Sequence, residues 1–168
     1  MFHNRSAQPI PYLERPTVAI TLDIPAATEL HTFLSENPDK HNQDIFYAAD
    51  VDCGTTGCVA GWKAALDGLK FVDRHAGDNF GVHVTFDING FDQPETDQIK
   101  RVSADYAVIA KTGRYIGPDD YAQRALGLTD SEAHELFYES RTSGDALDYL
   151  WKLITEATEA QQKETPTT

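Results

Sequence analysis

From Asp52 the chain runs Asp52-Cys53-Gly54-Thr55-Thr56-Gly57-Cys58-Val59-Ala60-Gly61-Trp62, with three glycines and nothing bulkier than valine ahead of the tryptophan. Inside a helix a glycine costs about 1 kcal/mol against alanine, so a helix that carries one must gain packing in return. Gly57 and Gly61 lie four residues apart, which on a helix starting near Thr55 or Thr56 places both on one face. Such a face admits another backbone, and Cys58 and Ala60 are small for the same reason. Val59, Trp62, Leu66 and Leu69 then fall at i, i+3, i+7 and i+10, an apolar stripe with Gly68 as its C-terminal stop. The stretch predicts a buried helix pressed on a neighbouring main chain, with Cys53, Gly54, Thr55, Cys58, Gly61 and Trp62 as its structural motif.

Helical periodicity recurs on both sides. Pro25 suits the first turn of a helix with Asp23 as its cap, and Ile24, Ala27, Leu30 and Leu34 share a face that stops at Asn37-Pro38. Toward the C-terminus, Tyr121 to Leu126 predict a short helix closed by Gly127. Thr129 and Glu132 form a capping box ahead of Ala133, Leu136 and Phe137, and Leu147, Leu150, Trp151 and Ile154 mark a last helix after Thr142-Ser143-Gly144. Period-two alternation appears over 17–24 and 82–88, with Asn89-Gly90 as a tight turn. A further strand is expected over 106–110, followed by a turn at Thr112-Gly113. The fold class is α+β: a helical core built from both ends of the chain, with a small antiparallel sheet as an insertion over about 70–117. The expected organisation is an extended, proline-bearing arm over 1–16, one domain over 17–158 and a polar tail over 159–168. Trp62, Leu66, Leu126, Leu128, Leu136, Phe137, Leu150 and Trp151 are the expected core.

Lys and Arg number 14 against 27 Asp and Glu, a net charge of −13, and residues 119–168 supply −7 of it. A chain this acidic repels a phosphate backbone, so direct nucleic-acid binding is not expected. No run of 18 apolar residues and no apolar leader core occur, so the chain reads as cytoplasmic, with no membrane contact and with its cysteines as thiols.

Cys53, ahead of a helix start, is the sharpest chemical candidate, because orphan N–H groups there favour a thiolate. Five histidines (His31, His41, His75, His83, His134) offer too many bases to single one out. The C-x4-C spacing is not a common structural zinc pattern, and a site would need two more ligands such as His41 and His75; no metal and no cofactor are expected. There is no G-K-[ST] for a phosphate loop.

The order NPDKHNQDIFY, CGTTGCVAGW, then ALGLTDSEAHELF and a terminal amphipathic helix resembles a family of small uncharacterised proteins of actinobacteria and their tailed phages. The shared pattern is a C-G-T-x-x-C-x-A-G-W core followed by L-G-L-T and L-F, covering roughly 31–69 and 119–154. The resemblance implies a phage or actinobacterial setting, and it carries no activity to any residue here. The expected function is a non-enzymatic accessory or structural protein, phage-encoded or phage-derived, docking on a protein partner or on a second copy of itself. The alternatives are a small cysteine-dependent hydrolase using Cys53, and an acidic DNA mimic that blocks a host factor.

Overall fold

Asp23 accepts a hydrogen bond from the Ala26 N–H at 3.0 Å, and with Pro25 in the first turn this opens helix α1 (Ile24–Glu36). The computed structural model describes residues 21–50, 54–73, 84–87, 90–91, 101–103, 106–109 and 114–164. The arm over 1–16 and the first part of the strand expected over 17–24 lie outside the described residues. Its second part is not a strand: Thr21 to Asp23 form an irregular lead-in, and Ile24 is already helical. Two interactions take the place of strand pairing. The Asp23 N–H donates to the Leu126 carbonyl at 2.8 Å, and the Thr21 carbonyl lies against Gly127, where a Cβ would collide with it. The start of α1 is thereby tied to the far end of the chain.

Asn37 ends α1 by donating both its backbone and side-chain N–H groups to the Phe33 carbonyl, at 3.0 and 2.8 Å. A 3-10 turn (Pro38–Lys40) leads to β1 (Tyr47–Asp50), which pairs antiparallel with β2 (Gly54–Gly57) from Tyr47↔Gly57 to Asp50↔Gly54. The helix expected from Thr55 or Thr56 therefore starts later: α2 spans Val59–Leu66, with Cys58 as its N-cap. Two β-branched threonines and the need to pair with β1 favour strand over helix there. The two glycines do admit a backbone, but one from a strand and one from a helix. A Cβ on Gly57 would sit 2.7 Å from the Phe46 carbonyl oxygen, and one on Gly61 would lie inside that same oxygen. Gly68 ends the α2 segment at φ +78°, as expected of a C-terminal glycine.

The β3 strand (Lys70–Asp73) is the centre of a five-stranded antiparallel sheet and was not anticipated. It pairs with β4 (Val84–Asp87) on one side and β7 (Tyr106–Ile109) on the other. The sheet's edges are β5 (Gly90–Phe91) and β8 (Arg114–Ile116), giving the order β5-β4-β3-β7-β8. Two expected strands, 82–88 and 106–110, thus share a sheet through β3 rather than by pairing directly. Asp87 pairs with Gly90 across a hairpin whose positions 88–89, like the Thr112-Gly113 turn, lie outside the described residues. The β6 strand (Arg101–Ser103) joins β1 and β2 in a second sheet of order β2-β1-β6, so the insertion is stitched to the motif region.

The C-terminal helices follow their local signals. Helix α3 (Pro118–Leu126) starts at its proline and closes on Gly127 at φ +67°, and α4 (Asp130–His134) opens with the Thr129–Glu132 capping box. It continues as a π-helical segment (Glu135–Glu139) that Ser140 ends by donating twice to the Glu135 carbonyl. Helix α5 (Ser143–Glu164) runs through most of the expected polar tail, exposed over 159–164, with 165–168 outside the described residues.

One buried cluster holds Trp62, Leu126, Leu128, Leu136, Phe137 and Leu150 together with Tyr47, Phe71, Leu30 and Leu34, and Leu66 packs against it half-buried. Trp62 is in edge contact with Tyr47 at 5.1 Å and beside Phe33 at 4.8 Å, while Tyr47 stacks on Phe71 at 4.4 Å. The Lys40 carbonyl takes hydrogen bonds from Trp62 Nε1 (2.8 Å) and Thr56 Oγ1 (3.2 Å). Trp151 is not in the core: it is 53% exposed. Ala146, Leu150, Leu153 and Ile154 already fill the buried stripe of α5, and the residue after Leu150 is turned about 100° away from it.

The Gly61 contact is testable. Alanine at an ordinary helix position gains stability, but Gly61→Ala should lose about 3 kcal/mol because the Phe46 main chain must move. Gly144→Ala, whose Cβ would meet nothing nearer than 3.7 Å, should be near neutral, both read as denaturant midpoints.

Candidate functional site

The helix start at Cys58 carries the only described thiol, and it is 3% exposed. Its Sγ accepts from the Gly61 N–H at 3.5 Å and faces the Phe46 carbonyl at 3.7 Å. Burial pushes the thiol up to about 11, although nearby N–H groups pull the other way. A thiol so placed serves as a cap and a core residue, and none of its hydrogen bonds goes to a histidine. Cys53 lies outside the described residues, while Gly54 and Thr55 contribute their backbone to β2 and Gly61 and Trp62 belong to α2.

The expected histidines are not gathered into one site. His75 and His83 lie outside the described residues. His134 pairs with Glu139 at 3.1 Å on the surface, and His31 lies on α1. His41 is buried at 7% exposure, where its Nε2–H donates to Gln43 Oε1 at 3.1 Å and Nδ1 has no partner. Gln43 in turn donates to the Leu136 carbonyl at 2.9 Å, and the His41 carbonyl accepts from Ser143 Oγ at 3.0 Å. His41 is thus a strut between the motif region, the π-helical segment and the start of α5. Burial lowers its pKa from the ordinary histidine value, outweighing the Gln43 hydrogen bond.

Polar groups between α2, α3 and the π-helical segment are also spoken for. Buried Lys63 pairs with Asp67 at 2.7 Å, and Asp67 accepts the Tyr121 hydroxyl at 2.8 Å. The Tyr138 hydroxyl donates to Asp119, a bond that, with burial, holds the phenol up to about 12. Among the described residues no group of three or more His, Cys, Asp or Glu side chains is placed to hold a metal.

The surface offers a different candidate. Trp151 and Tyr138 are the large apolar side chains left exposed among the described residues, at 53% and 56%. Tyr138 is bonded to Asp119 and lies beside the His134 ring at 5.7 Å, whereas the Trp151 ring is 5.1 Å from His31 on the neighbouring helix α1. Helical spacing with Leu147, Leu150 and Ile154 predicts Trp151 in the core. The signal against it is its angle: at about 100° per residue it falls beyond Ile154, past the edge of the stripe that Ala146, Leu150, Leu153 and Ile154 define. No family model, curated protein or solved structure matches the chain. Among the described residues, no helix is long and apolar enough to cross a membrane.

Two outcomes follow. Native protein treated with iodoacetamide at pH 7 should leave Cys58 unlabelled, because a thiol near 11 is about one part in ten thousand thiolate; denaturant should expose it, as read by peptide mass spectrometry. For His41, the unfolded chain binds its proton more tightly than the folded one does. Its contribution is therefore present above about pH 6.5 and is lost as pH falls below that. His41→Gln should flatten the fall in stability between about pH 6.5 and 5, measured by urea unfolding across that range.

Proposed function

We propose that this chain is a non-enzymatic interaction protein that docks on a protein partner through the face shared by α1 and α5, with Trp151 as its anchor. The observation that carries this reading is an exposed tryptophan whose ring lies in tilted contact with His31 of the neighbouring helix, at 5.1 Å. Tryptophan is among the residues that contribute most per side chain to protein–protein affinity, and a pre-positioned one loses less entropy on binding. The chemistry of the interior agrees with such a role. The described thiol, the buried lysine and the buried histidine are all engaged in holding elements together.

The resemblance of the C-G-T-x-x-C-x-A-G-W, L-G-L-T and L-F segments to small actinobacterial and actinophage proteins supports a phage-encoded or phage-derived protein acting in the host cytoplasm. In that setting the partner is a host or phage protein. The test compares wild-type, Trp151→Ala and a chain lacking residues 1–16 as baits against actinobacterial lysate, followed by titration of the captured protein. Trp151→Ala should keep the wild-type melting temperature and weaken the captured partner about 30-fold, the scale of an interface anchor. Equal affinity for wild type and Trp151→Ala, with loss only on removal of the arm, would move the docking surface to residues 1–16. A concentration-dependent mass that Trp151→Ala abolishes would make the partner a second copy of the chain.

A further inference from the structure

Trp151, His31 and Asp148 converge where α5 packs on α1. Asp148 precedes Trp151 by three residues and so neighbours it on the α5 surface, and it is near enough to His31 for its charge to act on the imidazole. The Asp148 carboxylate has no hydrogen bond or ion pair with any described residue. Lys152 does not fill this place: its ammonium reaches toward Glu156 at 3.9 Å and over the Tyr149 ring at 5.6 Å. Burial outweighs the pull of Asp148 and holds His31 below its ordinary value, so the imidazole is neutral at pH 7 and adds no positive charge there.

A half-exposed indole beside a carboxylate that has no side-chain partner among the described residues has the chemistry of a receptor for a planar cation. A guanidinium stacks on the ring and donates in a fork to the carboxylate, which a point-charge ammonium cannot reproduce. The surroundings select the same sign: α1 and α5 together carry seven carboxylates against two lysines, and the whole chain stands at −13. We propose that Trp151 and Asp148 form a notch that takes one arginine side chain from a basic segment of a protein partner, with the His31 ring in tilted contact with the indole at 5.1 Å. This rests on the docking role assigned to the α1–α5 face and names the chemistry of its partner.

Isothermal titration of the full chain with octa-arginine and octa-lysine peptides, equal in charge, separates the notch from general attraction to an acidic surface. Wild type should prefer the arginine peptide by about 5-fold or more at physiological salt, and Trp151→Ala should bring that ratio close to one. Trp151→Leu keeps an apolar side chain without a π face and should do the same, which guards against a folding artefact in the alanine variant. Asp148→Asn should weaken the arginine peptide about 5-fold or more, while Glu164→Gln, with the same change of charge at the end of α5, should cost less than about 2-fold. An arginine preference that survives both Trp151 variants, equal losses for Asp148→Asn and Glu164→Gln, or no binding of either peptide would overturn the notch. If partner capture depends on Trp151 but arginine selectivity does not, the docking role stands and the arginine notch falls.

Discussion

The Phe46 carbonyl and the helix at Gly61 share a space that no Cβ could enter, and the arrangement of the motif region follows from that approach. With the main chain of Phe46 held there, Tyr47 begins β1 directly against Gly57 of β2, and Cys58 caps α2 with its sulfur turned back on the same carbonyl. Trp62, one residue past the contact, then lies between Phe33 of α1 and Tyr47 of β1. Tyr47 passes the packing on to Phe71 of β3, the middle strand of the larger sheet. A single backbone contact thus places the aromatic row through which helices and sheet share an interior. Small residues in the motif are the condition for that row, since any larger side chain at Gly61 would part β1 from α2.

Local signals were legible wherever a helix end is written in a few residues. The Asp23 cap, the Thr129–Glu132 box and the left-handed Gly127 are each short-range devices, and each forms as read. The α+β class and most of the core followed from periodicity for the same reason. Readings failed where a long-range partner decides. Thr55 and Thr56 sit in a strand because β1 lies alongside, and nothing within the segment announces β1. Lys70 to Asp73 is too short to show a period, yet becomes a central strand because two others flank it. Thr21 to Asp23 alternate like a strand but find the end of α3 before they find a sheet. At the candidate site Gly57 and Gly61 admit a main chain as their spacing suggests, whereas Trp151, grouped with Leu147, Leu150 and Ile154 by helical spacing, lies just outside the stripe that α5 buries.

The interior and the surface divide the polar chemistry between them. Inside, Lys63, Asp67 and Tyr121 satisfy one another, and His41 and Gln43 bridge to Leu136 of the π-helical segment. These groups hold α2, α3 and the following segment in register, a use of buried polarity that specifies one arrangement. Outside, α1 and α5 carry carboxylates along their lengths and one exposed tryptophan, with α5 continuing exposed through Glu164. Acidic density alone steers oppositely charged partners at long range; an oriented ring supplies what steering cannot, a short-range choice among them.

The Lys40 carbonyl receives two donors, the Trp62 indole and the Thr56 hydroxyl, and the neighbouring His41 carbonyl receives Ser143. Both acceptors belong to the main chain, which every residue type carries. The turn that joins α1 to the sheet is therefore anchored by donors at distant positions, while the half-buried side chain at 40 contributes no acceptor to the anchorage. The Lys40 ammonium lies over the Phe33 ring at 5.9 Å, outside this anchorage, and the turn's shape is held by the side chains at positions 56, 62 and 143 instead.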